Sequence, residues 1–446
     1  MNPYLQYMYS YPHKTAYGPL TGVNLKDYGE RLSGNGHGLY LHLPFCQTKC
    51  GYCNLFSVTG AKDEEIDRYL DGVERQVKEY RHVLKPFKTV FSDFTIGGGT
   101  PLLLTERQLE RMFSLVNDQL CLEKDGEIVI ETAPNQTDTE KLRLLQRWGV
   151  TRVSMGIQSF SETELKTLGR SHSGKKAQEA LELLMSFGFP CVNIDFIYGI
   201  PGQSITSLLD SLKKGLKFHP QEIFLYPLYV KHGAGLIKKL KKGLVLEPEN
   251  AYLQYQEASA FLKAHGYRQD SMRRFVKYKR SFSDCGFGTS LALGCGGRSY
   301  VGNLHFCTPY AITRHDCIRE LENFEAVRDF TVISHGIFLS KEEEKRRYVI
   351  RHLLIRPGLP IKRYRNCFGT EVLQDFPLIS CWQEQGVVTM EKEAEEEYLT
   401  LTQKGLGLSD YLGPQLISTE IGERMAQWEM IHGQAHGSLP WQFKEL

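Results

Sequence analysis

The chain lacks the features that would commit it to a membrane or a polyanion. Its net charge is only +2 over 446 residues, so electrostatics give no reason to expect nucleic acid or an anionic bilayer as partner. No apolar run approaches the roughly 20 residues that span a bilayer. The opening Met-Asn-Pro-Tyr-Leu-Gln-Tyr-Met-Tyr has neither the basic flank nor the apolar core of a secretion signal. The 11 cysteines show no pairing pattern; their odd number and scatter fit a reducing cytoplasm, not a disulfide scaffold. What remains is an ordinary globular composition, 41% hydrophobic and 24% charged, with length for one large domain and one or two small ones.

One loop breaks this plain background. In Tyr40-Leu-His-Leu-Pro-Phe-Cys-Gln-Thr-Lys-Cys-Gly-Tyr-Cys-Asn, Cys46, Cys50 and Cys53 are separated by three and then two residues. Three thiolates so spaced suit a cubane iron–sulfur cluster and leave one iron open to a small molecule. Zinc is the main competitor, but a zinc knuckle wants two Cys/His pairs and four ligands. The nearest fourth candidate, His42, lies only four residues before Cys46 and inside an expected strand.

Between residues 38 and 229 short apolar runs alternate with helical patterns. Strands are expected at 38–43, 94–96, 128–131, 152–157, 192–197 and 223–228. A first helix is marked by Ile66, Tyr69, Leu70, Val73, Val77 and Tyr80 at helical spacing. Further helices are expected at 106–116, 139–148, 162–168, 175–187 and 204–216, with Ser161 and Glu164 forming a capping box. Six strand–helix units imply an α/β fold with a parallel sheet, an open, partial (β/α)6 barrel whose site lies at the carboxyl ends of the strands. The cysteine loop follows the first strand at that end. The expected organisation is an N-terminal arm over 1–37, the barrel over 38–270, a glycine-rich and less regular connecting region over 271–335 that packs on it, and a C-terminal module over 336–446. Helices at 341–354, 361–367 and 378–385 and a hairpin of 387–390 with 398–402 make that module winged-helix-like, an α+β unit. Its wing carries Glu391, Glu393, Glu395, Glu396 and Glu397, which would repel phosphates, so it reads as a docked lid or packing domain and not a DNA reader.

Other chemistry-bearing residues gather at the expected strand ends. Gly97-Gly98-Gly99-Thr100-Pro101 follows the second strand, where glycines let backbone groups approach a ligand closely and Thr100 adds a hydroxyl. Glu131 ends the third strand, Gln158 ends the fourth, Arg170 is expected in the helix after it, and Asp195 lies within the fifth. Asp195 sits in Val-Asn-Ile-Asp-Phe-Ile-Tyr-Gly-Ile-Pro, where an unpartnered carboxylate would be costly; two ribose hydroxyls would satisfy it. Arg170 offers a planar fork suited to a carboxylate.

Taken together, Tyr40-x-His-x-Pro-Phe-Cys, the three-cysteine spacing, Gly-Gly-Gly-Thr-Pro, Ser154-Met-Gly-Ile-Gln-Ser-Phe and Asn193-Ile-Asp-Phe-Ile-Tyr-Gly-Ile-Pro-Gly-Gln resemble the oxygen-independent coproporphyrinogen III oxidase-like branch of the radical S-adenosylmethionine (SAM) superfamily. The resemblance covers residues 38 to 230 well and extends to that branch's C-terminal domain. It implies a radical SAM barrel in which Cys46, Cys50 and Cys53 ligate a [4Fe–4S] cluster and SAM binds the open iron. Gly98, Gly99 and Thr100 would meet the SAM amino group, Arg170 its carboxylate, and Gln158 and Asp195 its ribose, with Tyr40 and Glu131 lining the site. It further implies a cytoplasmic oxidoreductase of porphyrin biosynthesis or a methyltransferase using a second SAM. Its partners would be a small organic substrate such as a tetrapyrrole and a flavodoxin-like or ferredoxin-like electron donor. A heme or tetrapyrrole carrier without turnover is the rival.

Two departures bear on the reaction. Coproporphyrinogen oxidases carry a further cysteine two residues after the third ligand, where this chain has Leu55; heme-chaperone relatives carry a His-Asn pair, and none of the 14 histidines here precedes asparagine. Cys285, Cys295, Cys307 and Cys317 recur at intervals that would admit an auxiliary cluster, though the gaps are long. The arm Tyr9-Ser-Tyr-Pro-His-Lys-Thr-Ala-Tyr17 could cover the barrel mouth, with His13 and Lys14 meeting substrate carboxylates.

Overall fold

The computed structural model describes residues 2–8, 10–230, 234–278 and 288–432. Six parallel strands follow one another across one sheet: β1 (His37–Leu43), β2 (Phe91–Gly98), β3 (Leu122–Thr132), β4 (Arg152–Gln158), β5 (Cys191–Tyr198) and β6 (Glu222–Pro227). The crossovers are α1 (Asp63–Leu84), α2 (Glu106–Gln119), α3 (Thr139–Arg147), α4 (Glu162–Leu168) with α5 (Gly174–Ser186), and α6 (Ile205–Leu216). Such strands are covered on both faces, so they read as apolar runs more than as alternation; seven of the eight residues of β5 are buried. All six apolar positions that marked α1 are buried in the core.

The six strands do not close on themselves. Beyond β6 the sheet continues into the antiparallel β7 (Arg274–Val276). Beyond β1 it continues into the parallel β8 (Ser290–Leu293) and then an antiparallel meander of β9 (Arg298–Val301), β10 (Leu304–Cys307) and β11 (His335–Phe338). The stretch expected to be less regular therefore extends the sheet itself. Strands of three or four residues, buried on nearly every position, carry too little periodicity to be seen in sequence.

After β11 come α7 (Lys341–Leu353), α8 (Ile361–Phe368) and α9 (Leu378–Glu384), with an antiparallel sheet of β12 (Leu359–Pro360), β14 (Glu396–Leu401) and β13 (Val388–Glu393). Both hairpin strands run further than expected and pair up to Glu393 and Glu396. The acidic run is thus the tip of the pairing and not a loose wing; Arg356 donates to Glu391 at 2.9 Å. This α+β unit is tied to the barrel by Arg273, which pairs with the buried Asp410. Among the described residues no helix is long and apolar enough to cross a membrane.

Candidate functional site

Every strand of the partial barrel ends at one cavity of about 570 Å³, lined by Cys46, Cys50 and Cys53 and by Tyr40, Gly98, Gly99, Thr100, Glu131, Gln158, Arg170 and Asp195. The cysteine loop is pinned where it leaves and rejoins the sheet: Phe45 and Cys46 pair with Val58 and Thr59 as a two-residue parallel ladder. In its middle, Gly51 N–H donates to Leu168 O at 2.8 Å and Gly51 O accepts from Leu236 N–H at 2.7 Å. The loop is thus braced by α4 on one side and by the segment after β6 on the other.

The glycine run lies against this loop. Gly97 and Gly98 belong to β2 and do not follow it, and Gly99 N–H and Thr100 N–H donate to Leu43 O and Phe45 O at 2.8 Å. A Cβ at Gly99 would stand 2.5 Å from Phe45 O and 2.9 Å from Cys46 Sγ. Only a residue without a side chain leaves that sulfur in place. Gly98 holds φ at 119°, a region L-residues rarely adopt.

His42 is not a fourth ligand. Its Nε2 lies 2.9 Å from Phe56 O, a carbonyl that can only accept, so Nε2 carries the proton and Nδ1 accepts from Tyr40 Oη at 3.1 Å. Burial lowers its pKa to about 4, so the ring is neutral and fixes the Tyr40 hydroxyl.

Arg170 lies beyond the helix expected to hold it. α4 stops at Leu168 because Gly169 turns left-handed at φ 69°, the usual glycine stop. From there Arg170 reaches into the site, donating from Nη1 to Cys50 Sγ at 3.2 Å and from Nη2 to Gly156 O at 2.5 Å. Its buried Nε has no protein partner. The expected capping box is absent as well: the Ser161 side chain caps nothing. Buried Glu164 instead accepts from Ser159 Oγ at 2.6 Å and Gln203 Nε2 at 3.0 Å, tying the end of β4 to the loop before α6.

Two carboxylates face the cavity. Enclosure and the neighbouring Asp195 push Glu131 up to about 7, and Gly98 N–H donates to it at 3.2 Å. Enclosure pushes Asp195 up to about 6, opposed by an Asn193 Nδ2 bond of 2.8 Å. Glu131 is nevertheless solvent-accessible and Asp195 half-buried, so water in the mouth moderates both shifts. Asp195 is therefore not the sealed carboxylate its apolar sequence context suggests. Gln158 holds φ at 74°, the kink that ends β4 and turns its amide from the sheet. A Cβ at Gly156 would meet that amide at 2.9 Å.

Sequence reasoning missed Tyr226, Arg298 and Tyr300, which also line the cavity. Tyr226 had a signal, since it stands near the carboxyl end of a recognised strand. Arg298 and Tyr300 had none, because β9 leaves no pattern in the sequence. Of the N-terminal arm, Tyr7 and Lys14 reach the cavity. His13 does not; it caps its own turn through Thr15 and packs edge-on to Tyr310. Cys295, Cys307 and Cys317 are buried thiols in the core clusters, Cys295 donating to Glu320 O at 3.5 Å. Cys285 and Tyr9 lie outside the described residues.

Among the described residues no three His, Cys, Asp or Glu side chains converge on one metal-ion position. A single zinc needs its sulfurs at about 2.3 Å from one point; a cubane takes each thiolate on a different iron and so wants them spread. Burial pushes the Cys46 thiol up to about 11 and raises that of Cys53, a preference that bound iron would reverse. Thiol donors on a braced loop, a glycine cradle at Cys46 and an arginine with an orphaned Nε fit a cluster and a carboxylate-bearing cofactor.

The fold and these residues define a partial-barrel protein with an iron–sulfur loop, and comparison with known proteins gives the class its name. The model of the Radical SAM superfamily matches residues 40–214. The heme chaperone HemW of Escherichia coli is 29% identical over 59% of this chain and 70% of its own length, and that of Mycobacterium tuberculosis 34% identical over 53% and 61%. The oxygen-independent coproporphyrinogen III oxidase of Escherichia coli is 26% identical over 90% of this chain and 91% of its own. The solved structure of the Escherichia coli oxidase superposes with a TM-score of 0.79 over 92% of this chain and 96% of that one, at 22% identity. Residues 40–214 thus carry a radical SAM domain, whose cofactors are a [4Fe–4S] cluster and SAM, and the chain is similar over nearly its whole length to the coproporphyrinogen III oxidase of Escherichia coli.

Proposed function

We propose that the protein is a cytoplasmic enzyme that uses these cofactors to begin radical chemistry on a carboxylated organic substrate of the tetrapyrrole class. The observation that carries this reading is the convergence of the cysteine loop, the glycine cradle and the strand-end polar residues on one cavity. Cys46, Cys50 and Cys53 would hold the cluster. Bound there, it supplies the electron that cleaves the sulfonium of SAM and releases a 5′-deoxyadenosyl radical. The protein's part is placement. Gly98, Gly99 and Thr100 would receive the SAM amino group and Arg170 its carboxylate. Gln158 and Asp195 would accept its ribose, while Tyr40, held by His42, and Glu131 complete the wall. Lys14 and Arg298 bring cations to the same cavity for substrate carboxylates.

The test is product analysis after anaerobic reconstitution with dithionite. We expect 5′-deoxyadenosine from the parent chain and none from Cys46→Ala; equal release from both would end the reading. Carbon dioxide from coproporphyrinogen would mark an oxidase, S-adenosylhomocysteine a methyltransferase. A second reading, a heme carrier, is favoured by relatives named heme chaperones. It predicts stoichiometric heme binding with no nucleoside release.

A further inference from the structure

The segment that braces the cysteine loop from outside the cavity is basic. Ahead of the exposed Glu247 and Glu249, the chain between Ala234 and Leu246 carries Lys238, Lys239, Lys241 and Lys242 and no acidic residue. All four are exposed, as is Lys166 on α4, and none of the five lines the cavity. The patch is coupled to the loop by short links. Leu236 N–H donates to Gly51 O at 2.7 Å, next to Cys50, and Leu168 O accepts from Gly51 N–H at 2.8 Å. Lys239 Nζ binds Thr167 O at 3.3 Å and so joins the two braces. On a chain of net charge +2, four lysines within five residues are a local field, and a local field selects partners and speeds encounter.

Resting on the radical SAM reading above, we propose that this face is the docking surface for a small acidic one-electron carrier of the flavodoxin or ferredoxin type. A cavity of about 570 Å³ holds a cofactor and a substrate, not a protein, so an electron carrier must approach the loop from outside. The braced backbone at Gly51 is where the basic surface and the loop are joined. In the step itself the reduced carrier loses one electron and the oxidised cluster gains it; no bond is made or broken. An anionic membrane is the lesser match, because the helix in this segment, Ile237–Leu240, is too short to lie in a bilayer interface as an amphipathic anchor.

The test reverses charge at Lys238→Glu, Lys241→Glu and Lys242→Glu together in the full chain, leaving Lys239 to hold the carbonyls of α4; a matching Lys→Gln set guards against misfolding. The first measurement is affinity for purified flavodoxin and for a [2Fe–2S] ferredoxin across a salt series. The proposal expects about tenfold weaker binding, a flattened salt dependence and carrier-driven cluster reduction slowed by a similar factor. Dithionite-driven 5′-deoxyadenosine release stays at the parent level. Unchanged carrier affinity in the charge-reversed chain overturns it. So does parental binding to phosphatidylglycerol vesicles with none to either carrier. If dithionite yields no 5′-deoxyadenosine from the parent, the catalytic reading has failed, while the binding series still judges the surface.

Discussion

At the amino end of the sheet, Arg152 at the start of β4 meets Glu222 at the start of β6 at 2.7 Å, Arg274 meets the same carboxylate at 2.5 Å, and Arg274 reaches Asp270 at 3.0 Å. At the carboxyl end of the same strands, Glu131, Asp195 and Arg170 occupy one cavity, yet Arg170 gives both Nη groups to a sulfur and a carbonyl. Glu131 and Asp195 repel each other's ionised forms. The first set pairs its opposite charges with one another; in the second no ion pair joins Arg170 to either carboxylate among the described residues. Buried charge paired within its own network is structural, and unpaired charge gathered at strand ends in a cavity is what a binding site looks like.

The sharpest break in that comparison comes from a single methyl group. Gly99→Ala would place Cβ 2.5 Å from Phe45 O and 2.9 Å from Cys46 Sγ, so the loop or the strand must move. Iron and sulfide uptake on reconstitution should fall about tenfold or more, where each tenfold is about 1.4 kcal/mol, with far-ultraviolet circular dichroism unchanged. Full cluster loading in Gly99→Ala would mean the cradle is only a turn. At the other end, Glu222→Ala takes the shared carboxylate from two buried guanidinium groups, of which Arg274 keeps Asp270. Losing one partner of a buried ion pair costs about 3–5 kcal/mol, so chemical denaturation of the cofactor-free protein should shift by that order while SAM affinity in whatever remains folded is untouched.

Asp195→Asn should divide the two ends cleanly. Removing a charge that enclosure disfavours should leave the cofactor-free protein as stable or more so. Losing a charged acceptor for two hydroxyls should weaken SAM binding about tenfold, roughly 1.4 kcal/mol. Calorimetric titration of SAM beside a melting curve reads both, and a fall in stability without a fall in affinity would place Asp195 with the closed network.

Much of this site is legible in the amino-acid sequence because its chemistry is local. Cys46, Cys50 and Cys53 share one loop, Gly98 to Thr100 another, and strands β1 to β6 announce themselves as apolar runs. What is not legible depends on contacts between distant segments. The pattern Ser161-x-x-Glu164 has the letters of a capping box, but Glu164 is drawn to Ser159 and Gln203 because a tertiary partner outcompetes a local one. Arg298 and Tyr300 reach the cavity only because β9 extends the sheet past β1, and a four-residue strand buried at three consecutive positions has no period to betray it. Arg170 is identified by residue type yet misplaced by element, since Gly169 ends the helix one residue before it.

The smallest effect is a matter of proton count. Glu131 and Asp195 are raised in the fold, to about 7 and about 6 from 4.5 and 3.8. At this pair the native state therefore binds more protons than the unfolded chain between roughly pH 4 and 7, so the pair's contribution to stability falls as pH rises through that window. Buried histidines such as His42 and His172, lowered to about 4 by burial, contribute the opposite slope, so the pair is read by difference. Across pH 5 to 8 the denaturant midpoint of cofactor-free Glu131→Gln should rise relative to the parent's, because the amide, like the protonated acid, escapes the repulsion from Asp195. Water in the cavity mouth keeps the effect modest. Saturating SAM should shrink that difference, its ribose and amino group giving these carboxylates partners. A difference that does not grow with pH would move the titration elsewhere and leave the cavity end as closed as the other.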